Sequence, residues 1–102
     1  MAFQNPFVGQ LPARPMNEGE LVRALRLDLA AEEEATALYM AHADATGDDL
    51  VKMVLTSIAD EERVHAGELQ MLLDIITGNE FKLLSDGMKE VALKVGTDKV
   101  PQ

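Results

Sequence analysis

Two long segments of helical period, joined by a short turn, constrain the fold of this chain. In the second segment, core-type positions recur at alternating spacings of four and three residues, as on one face of an α-helix: Val51, Leu55, Ile58, Glu62, His65, Leu69, Leu72 and Ile76. The first segment follows the same rule at Val22, Leu25, Leu29, Glu32, Thr36, Tyr39 and Ala43. We therefore predict two long helices, each with one face turned toward a core.

Capping and turn residues set the expected boundaries of the helices. Asn17 or Met16, followed by acidic residues that suit the positive end of a helix dipole, starts the first helix, which runs to about residue 44. Turn and N-cap residues at 44–49 separate it from a second helix, expected over about 48–77 and ended by Gly78. A shorter third helix is expected over 80–94.

Three units follow from these boundaries. Three of the four prolines fall in residues 1–16, which predicts an extended arm. Residues 17–95 form the helical unit, and residues 96–102 are expected to be a flexible tail.

The short connection makes the two long helices antiparallel neighbours. With 13 alanines and only 4% aromatic residues, the chain favours helices over strands. Two helices cannot enclose a core, so we predict an all-α hairpin with a short C-terminal helix, dimerising about a two-fold axis into a four-helix bundle.

Three ionisable side chains interrupt the apolar faces. Glu32 lies fifteen residues before Gly47 and Glu62 fifteen after it, which places them level in an antiparallel hairpin. His65 follows Glu62 by one turn on the same face. Because an unpaired buried carboxylate is unfavourable and neither face carries Lys or Arg, we expect a cation here.

A two-fold dimer would bring together two copies of this set. One Glu from each of two helices, with Glu-x-x-His from each of the other two, is the ligand set of di-iron and di-manganese bundles. Mixed carboxylate and imidazole ligation favours iron, with two irons per dimer interface and Mn, Zn or Ca as substitutes. The alternative is a hydrogen-bonded polar pair at Glu62 and His65, with Glu32 solvated. Glu33 and Glu61 point away from the faces and are expected to be solvated.

The net charge of −9 disfavours binding to nucleic acid or to anionic membrane surfaces, both of which attract basic proteins. The absence of cysteine excludes disulfides, thiolate metal sites and thiol catalysis. No secretion signal or long apolar run is recognisable, which predicts a soluble cytoplasmic protein.

Two motifs resemble those of a known family. The run EEEATALY at 32–39 and the run DEERVHA at 60–66 are similar to the acidic and Glu-x-x-His motifs of encapsulated ferritins, in the ferritin-like superfamily. The similarity extends over about 20–94. It implies a ferroxidase that oxidises Fe(II) at a di-iron centre formed between two subunits, assembled into an annular decamer inside an encapsulin nanocompartment that stores the mineral.

The same resemblance implies roles for particular residues. Glu32, Glu62 and His65 would be the iron ligands and the catalytic residues, and Tyr39 would lie beside them. Glu34 matches a carboxylate on the route by which metal reaches the centre. The sequence departs from the family at Ala31, where an acidic residue is usual, and at Leu38, where Trp is usual.

Two alternative functions remain at this stage. A rubrerythrin-like peroxidase would normally have more carboxylates per chain and a cysteine-containing rubredoxin module. A non-catalytic, metal-stabilised helical bundle would hold the ion without turnover.

Overall fold

The computed structural model describes residues 14–96 and contains three α-helices: α1 (Glu18–Ala45), α2 (Asp49–Thr77) and α3 (Glu80–Val95). Within this range there are no strands, so the predicted all-α fold is confirmed, with helix ends that agree to within a few residues. Most of the predicted arm at 1–16 and tail at 96–102 lies outside the described residues. None of the helices in 14–96 is long and apolar enough to cross a membrane.

The start of α1 is fixed by a reciprocal cap. The backbone N–H of Glu20 donates to Asn17 Oδ1 at 2.8 Å, and the Asn17 N–H donates to Glu20 Oε1 at 3.0 Å. Arg14 donates to both oxygens of the same carboxylate. The hydrogen bond from Arg14, together with that from Asn17, lowers the pKa of Glu20 to about 2, so this cap stays charged at neutral pH.

The turn between α1 and α2 and the end of α2 use the expected residues. Asp48 caps α2 by accepting a hydrogen bond from the Val51 N–H at 3.0 Å. At the other end, Gly78 adopts φ of 77°, a left-handed conformation that glycine reaches without steric penalty. Its N–H donates to the Asp74 carbonyl at 2.8 Å, which closes the last turn.

Small residues form the centre of the contact between α1 and α2. The buried side chains of α2 are Ala59, Ala66 and Leu73, spaced seven residues apart, and α1 buries Leu25 and Ala43. Alanines at such a contact let the two helix backbones approach closely. The hairpin is therefore held by a narrow seam.

This seam differs from the apolar face predicted for α2. Val51, His65 and Leu72 are exposed, although all three were expected to face the core. The reason is that α1 covers only one side of α2. The centre of that side lies at Ala59, Ala66 and Leu73, each one residue after a position of the predicted face (Ile58, His65 and Leu72). The other side of the predicted face has no covering helix within 14–96.

The third helix is attached through polar contacts at its first residues. Arg26 of α1 donates two hydrogen bonds to the Glu80 carboxylate, at 3.0 and 2.9 Å. Glu80 is only 8% exposed and is the buried charged residue of the described chain. The Phe81 N–H also donates to Asp74 Oδ1 at 2.8 Å. The hydrogen bonds from Arg26 lower the pKa of Glu80 below its ordinary value.

We expect Arg26→Gln to loosen α3 and to lower the free energy of unfolding. The substitution leaves Glu80 buried without its charged partner. The expected loss is roughly 1–2 kcal/mol at pH 7, the lower part of the range for charged hydrogen bonds, because water screens the half-exposed guanidinium. Urea denaturation measures the loss, and hydrogen exchange should show faster exchange of the α3 amides.

The lowered pKa of Glu80 also predicts how the stability loss in Arg26→Gln changes with pH. Because the folded pKa of Glu80 is lowered, the pair contributes fully above the ordinary value of 4.5, and its contribution is lost as pH falls through the lowered value. The difference between Arg26→Gln and the parent chain should therefore narrow in acid. Lys82→Gln is the control, since it breaks an exposed ion pair with Asp86. An equal effect of the two variants would contradict the prediction.

Candidate metal centre

Glu32 of α1 and Glu62 and His65 of α2 come together midway along the hairpin. His65 Nδ1 lies 3.5 Å from Glu32 Oε2 and 3.7 Å from Glu62 Oε2. One ligand atom from each of the three residues lies within 4.8 Å of the others. The two helices place them so because Glu32 and Glu62 are equally far from the turn, and His65 is one turn beyond Glu62.

The three side chains are covered to different degrees. The carboxylates of Glu32 and Glu62 are 24% and 20% exposed, whereas the His65 imidazole is 49% exposed. Glu32 Oε2 is itself shielded from solvent and accepts no hydrogen bond from the described residues. A shielded carboxylate oxygen without a donor is unfavourable and rare in proteins, and a bound cation would satisfy it.

The electrostatics of the cluster show an excess of negative charge. The neighbouring Glu62 carboxyl raises the pKa of Glu32, as does burial, while His65 opposes the shift. For His65, burial by itself lowers the pKa, but the two carboxylates together outweigh burial and the net pKa is raised. Both shifts mean that the cluster holds protons more tightly than isolated side chains do. The same field attracts a metal cation.

The donor set fits iron or manganese better than other common metals. Two carboxylates and one imidazole offer hard oxygen ligands with a single nitrogen, which suits Fe(II) and Mn(II). Three residues from one chain do not complete an octahedral shell, and His65 remains half exposed on the side that α1 leaves open. The arrangement can therefore bind a cation and still accept ligands from outside the chain.

The other residues singled out in the sequence differ in their exposure. Tyr39 is half-buried on α1, whereas Leu38 and Glu34 are exposed. Glu33 and Glu61 are exposed, as expected for solvated residues. Because Glu34 does not line the cleft beside the cluster, its role on a metal route stays a prediction.

An open cleft of about 400 Å³ adjoins the cluster, and it contains two carboxylates that sequence reasoning missed. Its lining residues are Asp28, Ala31, Glu32, His65, Glu68 and Leu69. Asp28 lies one turn before Glu32, and Glu68 lies one turn after His65. The sequence pattern that could have found them is the same as for Glu32 and Glu62. Asp28 and Glu68 are nineteen and twenty-one residues from Gly47, so they lie at nearly the same height along the antiparallel hairpin.

Comparisons with known proteins place this arrangement in context. No protein-family model matches the chain. It is 47% identical over 66 residues to the encapsulin nanocompartment cargo protein EncC of Myxococcus xanthus, which covers 65% of this chain. It is 33% identical over 85 residues, 83% of this chain, to a ferritin-like-encapsulin shell fusion protein of Pyrococcus furiosus. The chain spans 50% of the first relative and 25% of the second.

The fold comparison decides the family. The crystal structure of the encapsulated ferritin domain from Pyrococcus furiosus matches with a TM-score of 0.81 and 31% identity, over 94% of this chain and 97% of that one. The chain belongs to the encapsulated ferritin family. The resemblance indicated by the two sequence motifs is thus confirmed, and the helical hairpin with its third helix is the encapsulated ferritin fold.

Proposed function

We propose that this encapsulated ferritin is a ferroxidase, with Fe(II) as substrate and Glu32, Glu62 and His65 as its ligands. The observation that carries the proposal is the solvent-shielded Oε2 of Glu32, which has no hydrogen-bond donor and lies 3.5 Å from His65 Nδ1. A second carboxylate, that of Glu62, lies 3.7 Å from the same imidazole nitrogen. The two carboxylates repel each other at this distance, and a divalent cation bound between them would remove the repulsion.

A second copy of the chain would complete the centre. One chain offers three ligand residues, and the side of α2 that includes Val51 and Leu72 is exposed beside them. Two hairpins related by a two-fold axis would cover that side and supply two of each ligand. Two irons would then be held per dimer interface, with a carboxylate of each pair available to bridge them.

The chemistry of the substrate follows from this arrangement. Each Fe(II) gives up one electron, so two adjacent irons together supply two electrons to one oxidant, either dioxygen or peroxide. With dioxygen, two electrons and two protons give hydrogen peroxide. The carboxylates favour this direction because their negative charge binds Fe(III) more tightly than Fe(II). Tyr39, half-buried on the same face of α1, is proposed to lie beside the irons.

The relatives suggest where the product goes. One is named an encapsulin nanocompartment cargo protein, and another is a fusion to an encapsulin shell. We therefore propose an encapsulin shell as the partner, with dimers assembled into an annular decamer inside the nanocompartment. In that setting the oxidised iron would be stored as mineral within the shell, and the ring would deliver it there.

The test is an anaerobic Fe(II) titration of the purified chain, followed by admission of air while the oxidation is recorded. Saturation near one iron per chain, followed by rapid oxidation, is the expected result for a centre shared between two chains. Tight binding without oxidation would overturn the ferroxidase and leave a metal-stabilised bundle. Failure to bind Fe(II) would overturn the site itself.

A further inference from the structure

We propose that α3 of one chain docks on the outer side of α2 in a second copy, at a contact separate from the metal centre. This contact goes beyond the proposed function, which assigns no role to α3. Two exposed stripes form it. The outer stripe of α2 consists of Val64, Gly67, Met71 and Ile75. The apolar stripe of α3 consists of Phe81, Leu84, Met88, Val91 and Val95.

The outer stripe lies on the side of α2 that α1 does not cover. Its three large side chains are 48–66% exposed. At roughly 100° per residue, the stripe is nearly opposite the seam and about a quarter of a turn or more from the metal ligands of α2. A copy that covers the metal centre therefore leaves the outer stripe accessible to a different neighbour.

Gly67 in the middle of the outer stripe fits a close approach by another helix. It is exposed, and outside its own helix turns no described atom lies within 4 Å of the position that a Cβ would take. Glycine weakens a helix interior, and nothing within the single chain packs against this position. Without a side chain, the backbone of a partner helix can approach α2 at this point.

The apolar stripe of α3 has the pattern of a buried helix face but is exposed in the single chain. Its positions recur at spacings of three and four residues, as in a helix that packs against another element. All five side chains are nevertheless exposed. At 1.5 Å per residue the stripe is about 21 Å long and the outer stripe of α2 about 17 Å, so one can lie along the other.

The chain does not cover its outer stripe with its own α3. Arg26 holds Glu80 through two hydrogen bonds, and the Phe81 N–H donates to Asp74 Oδ1. With these bonds in place, both stripes remain exposed. Because they fix the direction in which α3 leaves the hairpin, the α3 that reaches the outer stripe belongs to another chain.

The outer stripe of α2 has an acidic border. Residues 60–77 contain five Asp or Glu and one Arg. Three of these carboxylates, all exposed, border the stripe: Asp60, Glu61 and Glu68. The apolar centre of a partner for this surface would therefore have a basic border.

The apolar stripe of α3 has such a border. Lys82 and Lys89 follow one of its edges and Lys94 the other, whereas Asp86 and Glu90 lie on the opposite side of the helix. Lys82 forms an ion pair with Asp86 at 2.9 Å, but both side chains are exposed, and such pairs are weak enough to exchange. The two stripes thus match in apolar character, length and charge.

The test uses sedimentation velocity of the full chain with Co(II) present, so that the contact at the metal centre also forms. An α2 variant carries Val64→Gln with Ile75→Gln, and an α3 variant carries Met88→Gln with Val91→Gln. We expect the parent chain to form species larger than a dimer. Each variant should raise the Kd of the second contact at least about 10-fold and stop at the dimer.

Two controls make this result specific. Leu83→Gln with Leu93→Gln changes exposed leucines of α3 outside the stripe and should assemble like the parent. Mixing the α2 variant with the α3 variant should restore larger species that contain both chains, because each supplies the surface that the other lacks. Circular dichroism checks that all variants are helical.

Charge reversal gives an independent check. Lys89→Glu should raise the Kd about 10-fold, whereas Glu90→Lys, on the opposite side of α3, should change it less than about twofold. Equal effects of the two reversals would contradict the role of the basic border.

Four outcomes would overturn the proposal. They are a parent chain that never exceeds a dimer, stripe variants that assemble like the parent, a mixture of the two variants that stays dimeric, and an α3 variant that fails while the α2 variant assembles, which would indicate pairing of α3 with α3. The proposed function is tested separately by Fe(II) oxidation. A parent chain that oxidises Fe(II) but stays dimeric overturns only the docking of α3, and one that assembles without oxidising overturns only the ferroxidase.

Discussion

Replacing Glu62 by Gln should lower the rate of Fe(II) oxidation by at least about 100-fold, more than the loss of a residue that merely supports a ligand. The substitution keeps the size of the side chain but removes the negative charge that lies 3.7 Å from His65 Nδ1. It also weakens a proposed iron ligand, because an amide presents one weak oxygen ligand and an NH₂ group that repels cations. Stopped-flow oxidation at saturating Fe(II) measures the effect.

Glu61→Gln provides the matched control for this variant. Glu61 is the preceding residue of α2, carries the same charge and is exposed. Its replacement should change the oxidation rate less than twofold. Comparable rates for the Glu62 and Glu61 variants would contradict the assignment of the site, provided that circular dichroism shows both to be helical.

Leu73→Ala should destabilise the chain by about 3 kcal/mol, within the range for truncation of a fully buried leucine. Leu73 has no exposed surface and is the largest fully buried side chain of the described residues. It lies on the narrow seam of α2, where its neighbours along the seam are alanines. Few large side chains can therefore move in to fill the space. Urea denaturation at a fixed chain concentration measures the loss.

The control is Leu93→Ala on α3, since Leu93 is 87% exposed. This substitution removes the same atoms from a side chain that water already surrounds, so the expected change is below about 0.5 kcal/mol. If both leucine variants lowered stability equally, the seam at Ala59, Ala66 and Leu73 would not be the main source of stability.

Much of the site was predictable because it depends on distance along a helix. Glu32 and Glu62 are equidistant from Gly47, and an antiparallel hairpin converts that symmetry into proximity. His65 then follows from the i, i+3 neighbour relation on one helix. The helix ends were equally predictable from the sequence, because Asn17, Asp48 and Gly78 cap the helices through local contacts that do not depend on the tertiary fold.

The buried side of α2 was harder to predict. The periodic face of large side chains and the seam of Ala59, Ala66 and Leu73 differ by one position along the helix, and alanine gives a weak hydropathy signal. A single neighbouring helix buries only part of a broad apolar face. The sequence pattern does not say which part, because it reflects every surface that α2 packs against.

Contacts between residues distant in sequence were also missed. Arg26 and Glu80 are 54 residues apart, and their pairing depends on how α3 turns back after Gly78. Nothing in the local sequence of either residue distinguishes this pair from charged residues that stay exposed. Asp28 and Glu68 were not predicted for a different reason, since they lie beside the apolar faces and do not interrupt them.

The three-residue connection at 46–48 also affects the speed of folding. A helical hairpin closed by so short a turn is rich in local contacts, and such chains fold in about microseconds to milliseconds. Association of chains at about micromolar concentration takes on the order of 0.1–10 s at ordinary rate constants. A hairpin that is stable alone would therefore form before it meets another chain, with its two carboxylates and imidazole already close to each other.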